Sequence, residues 1–193
     1  MNKTMIDRLH LPKRQKEALR NSRITDTFIA DAIVQRDRLT FDEKVRYVEI
    51  IIERQPQLAG TIVVLKRLGV NEAALDPLVD LLLMVTIALE NAQLELLPAS
   101  ETLVELCYER VTTRITQESN LQLPPLQISK TRKAYLQQCP EQWLQAYAFT
   151  LVGPLQQSAE EDQVVVMLTM AILTVVEVFT ELLHPHWDQK QAY

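Results

Sequence analysis

The segment Glu181-Leu182-Leu183-His184 sets a carboxylate and an imidazole three residues apart, on one face of a helix, as in bundles that hold paired metal ions. Glu177 lies on the same face one turn earlier and His186 follows just behind, so Glu177, Glu181, His184 and His186 form a candidate metal set. A two-metal bundle needs a second helix of this spacing and further carboxylates, and the chain has no second ExxH. The competing reading is the hydrated side of a core helix.

Other chemistry finds less support. His10, His184 and His186 lie near the two ends of the chain, and sequence logic pairs none of them with a serine or cysteine nucleophile. Cys107 and Cys139 show no CxxC spacing and no secretory signal precedes them, so they read as buried thiols in a reducing, cytoplasmic setting. Glu160 and Glu161 are adjacent, hence divergent on a helix, and suit a hydrated first turn better than acid-base work. The only glycines, Gly60, Gly69 and Gly153, are too few for a phosphate-cradling loop. The expectation is a protein without a cofactor and without catalytic residues.

Charge divides the chain. Residues 1–24 carry seven basic side chains against two acidic ones, whereas the rest carries thirteen against twenty-three. A basic arm over 1–24 thus precedes an acidic domain over 25–193, and Lys13, Arg14, Lys16, Arg20 and Arg23 are its candidate interaction residues. The stretch Leu11-Pro12-Lys13-Arg14-Gln15-Lys16-Glu17-Ala18-Leu19 resembles the opening of the DNA-binding module of sigma-factor region four. That resemblance implies a scaffold helix, a tight turn and a recognition helix. Here Gln35-Arg36-Asp37-Arg38 lacks the small turn residue, and the helix from Phe41 is too apolar to read bases. An acidic body also repels phosphates, so nucleic acid is not an expected partner.

Period and punctuation then place the elements. Phe28, Ile29, Ala32 and Ile33 share one side of a helix over 26–35. Thr40 and Glu43 form a capping box for the next, in which Val45, Val48, Ile51 and Ile52 are expected to face inward and Glu49 and Glu53 outward. Pro56 opens a third helix that Gly69 ends. Asn71 caps a turn, Asp76-Pro77 starts an apolar helix to about Leu94, and Ser100 caps one carrying Leu103, Leu106, Cys107, Val111 and Ile115. Residues 119–128 read as a loop and 129–138 as a helix; Pro140 starts a further one that Gly153-Pro154 stops, and Ser158 with Glu161 caps the terminal helix. The longest apolar run, Val164 to Val176, is too short to span a bilayer and reads as core, with Leu168 fully buried.

The chain is therefore expected to be all-α, a compact multi-helix bundle of about eight helices. Pro56 and Gly69 match Pro140 and Gly153 at an offset of 84, so residues 25–98 and 100–184 read as two repeated four-helix units sharing one core. The expected function is a non-enzymatic protein-interaction or regulatory module that binds a protein partner or itself. The alternative is a binder of a small hydrophobic ligand, with Leu83, Met84, Met167 and Met170 lining a cavity between the central helices.

Overall fold

The computed structural model describes residues 21–120, 135, 136, 138–155 and 162–185. Among them the chain is all-α, a bundle of seven helices with no strand. The helices are α1 (Asp26–Arg38), α2 (Phe41–Arg54), α3 (Pro56–Arg67), α4 (Asp76–Asn91), α5 (Glu101–Asn120), α6 (Gln142–Leu155) and α7 (Asp162–Leu183), with a 3-10 turn over Ala73–Leu75.

The local signals act largely as their chemistry dictates. Thr40 and Glu43 close the capping box at the start of α2, each side chain taking the other's backbone N–H. Asn71 Oδ1 accepts from Ala74 N at 2.8 Å, and Ser100 Oγ accepts from Leu103 N at 3.1 Å. Gly69, at φ +93°, ends α3 in a Schellman motif: its own N–H reaches Lys66 O and that of Val70 reaches Leu65 O, both at 3.1 Å. Asp76 is already helical and follows the 3-10 turn directly, so α4 starts without a side-chain cap.

Two stops differ from the expectation. Gly153 does not end its helix, because α6 runs on to Leu155 with Pro154 inside it; Gly153 lacks the left-handed backbone that Gly69 supplies. The helix also begins at Gln142, two residues after Pro140. α4 stops at Asn91, short of Leu94, in a second Schellman motif: Gln93 N–H reaches Glu90 O and Leu94 N–H reaches Leu89 O at 2.9 Å. Here Gln93 stands at φ 54°, the position glycine ordinarily fills.

The centre is built on α4 and α7. α4 packs against α1 and α2, α7 packs against α5 and α6, and the two meet each other. From Leu81 to Val85 every α4 side chain is buried, and Leu168 is 0% exposed. Burial of α7 lies further along than the apolar run suggests: Val166 is exposed, whereas Ala171 through Glu181 are buried without a break. By length and composition this helix is able to cross a membrane, contrary to the expectation, with a mean hydropathy of 2.0 over its best window. Yet 61% of that window is buried by the other helices, and the outcome is a core helix.

Polar ties lock the periphery to this centre. Arg36 of α1 donates to Tyr147 Oη of α6 at 2.6 Å and lies 3.7 Å from Asp80 of α4. Buried Gln55, between α2 and α3, donates to Leu97 O at 3.1 Å and accepts from Ala99 N at 2.9 Å, which holds the connection after α4 against the hairpin.

The left-handed backbone at Gln93 costs a side-chain-bearing residue roughly 1 kcal/mol that glycine avoids. Gln93→Gly is therefore expected to raise the unfolding free energy by about 0.5–1 kcal/mol, the gain being trimmed by the freer unfolded chain. Chemical denaturation of the two proteins measures it, and a loss of stability would contradict the strain assigned to this turn.

Candidate functional site: a buried charge network and an exposed apolar face

Glu141 sits in the turn before α6, and 0% of it is exposed. Its Oε1 accepts from Arg23 N at 2.7 Å and lies 2.6 Å from His184 Nε2; its Oε2 accepts from Ile24 N at 3.1 Å and lies 2.9 Å from Ser22 Oγ. The Ser22 hydroxyl is also 2.7 Å from Ile24 O, so its single proton is shared between two acceptors. A buried carboxylate is tolerated only when its lone pairs are met, and this one draws its donors from both sides of the chain. The successive N–H groups of Arg23 and Ile24, just ahead of α1, thus supply one donor to each carboxylate oxygen.

A second set of charges joins α5 to α7. Glu177 and Glu181 are buried one turn apart on α7, and Arg110 and Arg114 stand one turn apart on α5. Running in opposite senses, the pairs match: Arg110 to Glu181 at 2.5 Å and Arg114 to Glu177 at 3.8 Å. Tyr135 Oη donates to Glu177 at 2.5 Å, and the Arg114 guanidinium lies 3.9 Å above the Tyr135 ring. Burial, then the neighbouring Glu177 charge, push the Tyr135 phenol well above its ordinary range. Cys139 lies in the same interior, and burial pushes its thiol up to about 12.

This geometry revises the ExxH reading. Glu177 and Glu181 are not the hydrated side of α7: they are its buried side and point to the α5 arginines, whereas His184 turns to Glu141. Among the described residues, no three His, Cys, Asp or Glu side chains group to hold a metal ion. His186 lies outside the described residues. Glu141, Arg110, Arg114 and Tyr135 were not singled out by sequence reasoning. The available signal was a basic pair at i, i+4 on one helix and an acidic pair at i, i+4 on an otherwise apolar one.

The candidate apolar ligand set lies on the two central helices. Leu83 and Met84 are buried in the core of α4, while Met167 and Met170 are half-buried on the first turns of α7. A groove of about 270 Å³ lies elsewhere, floored by Ile51, Leu89, Leu94, Leu96 and Phe179 and edged by Arg54, Glu90 and Glu95. None of the four expected residues lines it. Of the basic arm, Lys13, Arg14, Lys16 and Arg20 lie outside the described residues; Arg23 has an exposed side chain, and its backbone serves Glu141.

The expected inward face of α2 is also revised. Ile51 is buried and Tyr47 and Val48 are half-buried against the core, but Phe41 is 80% exposed, Val45 40% and Ile52 54%. The helix packs on α3 and α4 through one edge of its apolar arc, and the rest of the arc is left outside. Val63, Val64 and Leu68 of the adjoining α3 segment are exposed as well, which concentrates uncovered apolar surface on this hairpin.

Compared with protein-family models, curated proteins and solved structures, the chain shows no significant match to any of them.

A thiol whose ionisation is pushed from near 9 up to about 12 makes a poor nucleophile at neutral pH. Its neutral form favours the folded state, so that contribution is fully present below pH ~9 and is lost as pH rises toward ~12, because the unfolded chain ionises first. Cys139 in the folded protein is expected to resist alkylation at pH 8 and to react after denaturation, and stability is expected to fall through the alkaline range. Rapid labelling at pH 8 under native conditions would contradict the burial assigned to it.

Proposed function

We propose that the protein acts by binding another protein chain through the α2–α3 hairpin, with its charged interior serving to hold the bundle together. The observation that carries this reading is the stripe Phe41, Val45, Val48, Ile52. Its 4-3-4 spacing is the seam of helix-on-helix packing; Phe41, Val45 and Ile52 are exposed along it, and Val48 is half-buried against the core at its inner edge. An aliphatic or aromatic side chain forgoes ~1.5–3 kcal/mol when left in water rather than buried. A chain of net charge −5 that leaves three of these four side chains exposed gains by covering them with a partner. The network groups, by contrast, are engaged with one another. Glu141, Glu177 and Glu181 each face donors of neighbouring segments, and the high Cys139 pKa argues against nucleophilic work. A reducing, cytoplasmic setting for the two buried thiols, which form no disulfide, belongs to the same proposal.

A second reading rests on the groove floored by Leu89, Leu94 and Phe179, which suits a small apolar molecule better than a drug-sized one. Native mass spectrometry of protein from its own host separates the readings, since a bound small molecule appears as a discrete added mass.

The docking reading is tested with Val45→Glu combined with Ile52→Glu. Both positions are exposed, so the helical signal is expected to stay and each change to cost under ~1 kcal/mol. Partner chains retained by the immobilised wild type, this chain included, are expected to drop at least tenfold on the variant. Equal retention by both proteins would overturn the proposal.

A further inference from the structure

The docking reading identifies a face without its occupant, and the charges beside the stripe narrow the choice. With Val45 and Ile52 at a positions of a heptad and Phe41 and Val48 at d, Lys44 falls at g and Asp42 and Glu49 fall at e. Among the described residues neither Lys44 nor Glu49 takes part in an ion pair within its own chain, so both are available across the seam. We infer that the occupant is a second copy of this chain, its α2 lying parallel to the first about a two-fold axis.

In that arrangement each g residue meets the e residue of the following heptad across the seam. Lys44 of each copy then faces Glu49 of the other, so one attraction is satisfied twice by the symmetry. The antiparallel arrangement pairs e with e and sets Asp42 against Glu49, two like charges. The apolar seam supplies the affinity and the charges set direction, since exposed ion pairs are individually weak. Three turns of helix make a short seam for isolated peptides. Here α2 is already folded, capped by Thr40 and Glu43 and anchored by Ile51, so association does not have to order it.

This inference rests on the docking reading, and the experiment separates their failures. Sedimentation velocity of the full chain at ~1–100 µM, in ~0.1 M salt, is expected to show a monomer–dimer equilibrium. Ile52→Glu is expected to shift it to monomer with its circular dichroism unchanged. Lys44→Glu alone and Glu49→Lys alone are each expected to weaken the dimer severalfold, and the double exchange Lys44→Glu with Glu49→Lys to restore it. Orientation is read with Phe41→Cys, since Cys107 and Cys139 are buried. In the parallel dimer the two introduced thiols meet and oxidation links the chains; antiparallel packing holds them ~16 Å apart along the axis, beyond disulfide reach. A wild-type chain that stays monomeric at ~100 µM overturns the second-copy inference while the stripe variants still test docking of another protein. A dimer that neither crosslinks through Phe41→Cys nor recovers in the double exchange overturns the parallel arrangement.

Discussion

The carboxylate of Glu141 is the point at which the fold closes. Three segments far apart in sequence converge on its two oxygens: the Ser22–Ile24 approach to α1, the turn into α6, and the end of α7 at His184. A fully buried charge cannot be left partly matched, because each unmet lone pair or donor carries a desolvation cost of ~1–3 kcal/mol. The placement of any one of these segments is thereby tied to that of the other two. Hydrophobic burial compacts the chain without direction, and this cluster selects which ends meet.

The ladder between α5 and α7 adds register to the same end of the bundle. α7 is apolar enough on most of its surface to slide or rotate against its neighbours at modest cost. Glu177 and Glu181 forbid that, since a one-turn slip would strand one carboxylate away from its arginine in a dry interior. Removing one partner of such a buried pair costs several kcal/mol even where the pair itself adds little net stability, so the ladder acts by penalising alternatives. It also fits the use of a helix of membrane-spanning length as a core element here: its two buried charges, Glu177 and Glu181, are met by protein groups.

What was legible in the sequence was local. Thr40 with Glu43, Asn71, Ser100 and Gly69 act within four residues of themselves, so their spacing alone predicts their bonds. The all-round apolar stretches of α4 and α7 announced their central place. What was not legible depends on contacts between distant segments. Glu141 is an isolated acid behind a proline until Ser22 and His184 reach it, and no spacing within the chain encodes that meeting. The inward face of α2 failed for a related reason: periodicity reports the width of an apolar arc, whereas α4 and α3 cover only part of it, leaving Phe41 and Ile52 outside. Gln93 hid the end of α4 because the strain of a side chain at that position is accepted where glycine would have marked it. Gly69 and Gly153 look alike as punctuation, yet one caps a helix and the other lies inside one.

The exposed arc belongs to α2 and α3, whereas the charged closure is made by residues 22–24, Glu141 and His184, so the side chains offered to a partner are not those that hold the bundle. The central claim, that Glu141 holds the chain's entry into α1 in place, is tested most directly by amide hydrogen exchange at Arg23 and Ile24. Both N–H groups lie outside any helix, where exchange is ordinarily fast, and both point at a carboxylate sealed from solvent. The account predicts protection comparable to that of the α4 core amides in the native protein, lost in the Glu141→Ala variant; exchange of these two amides at open-loop rates in the wild type would contradict it.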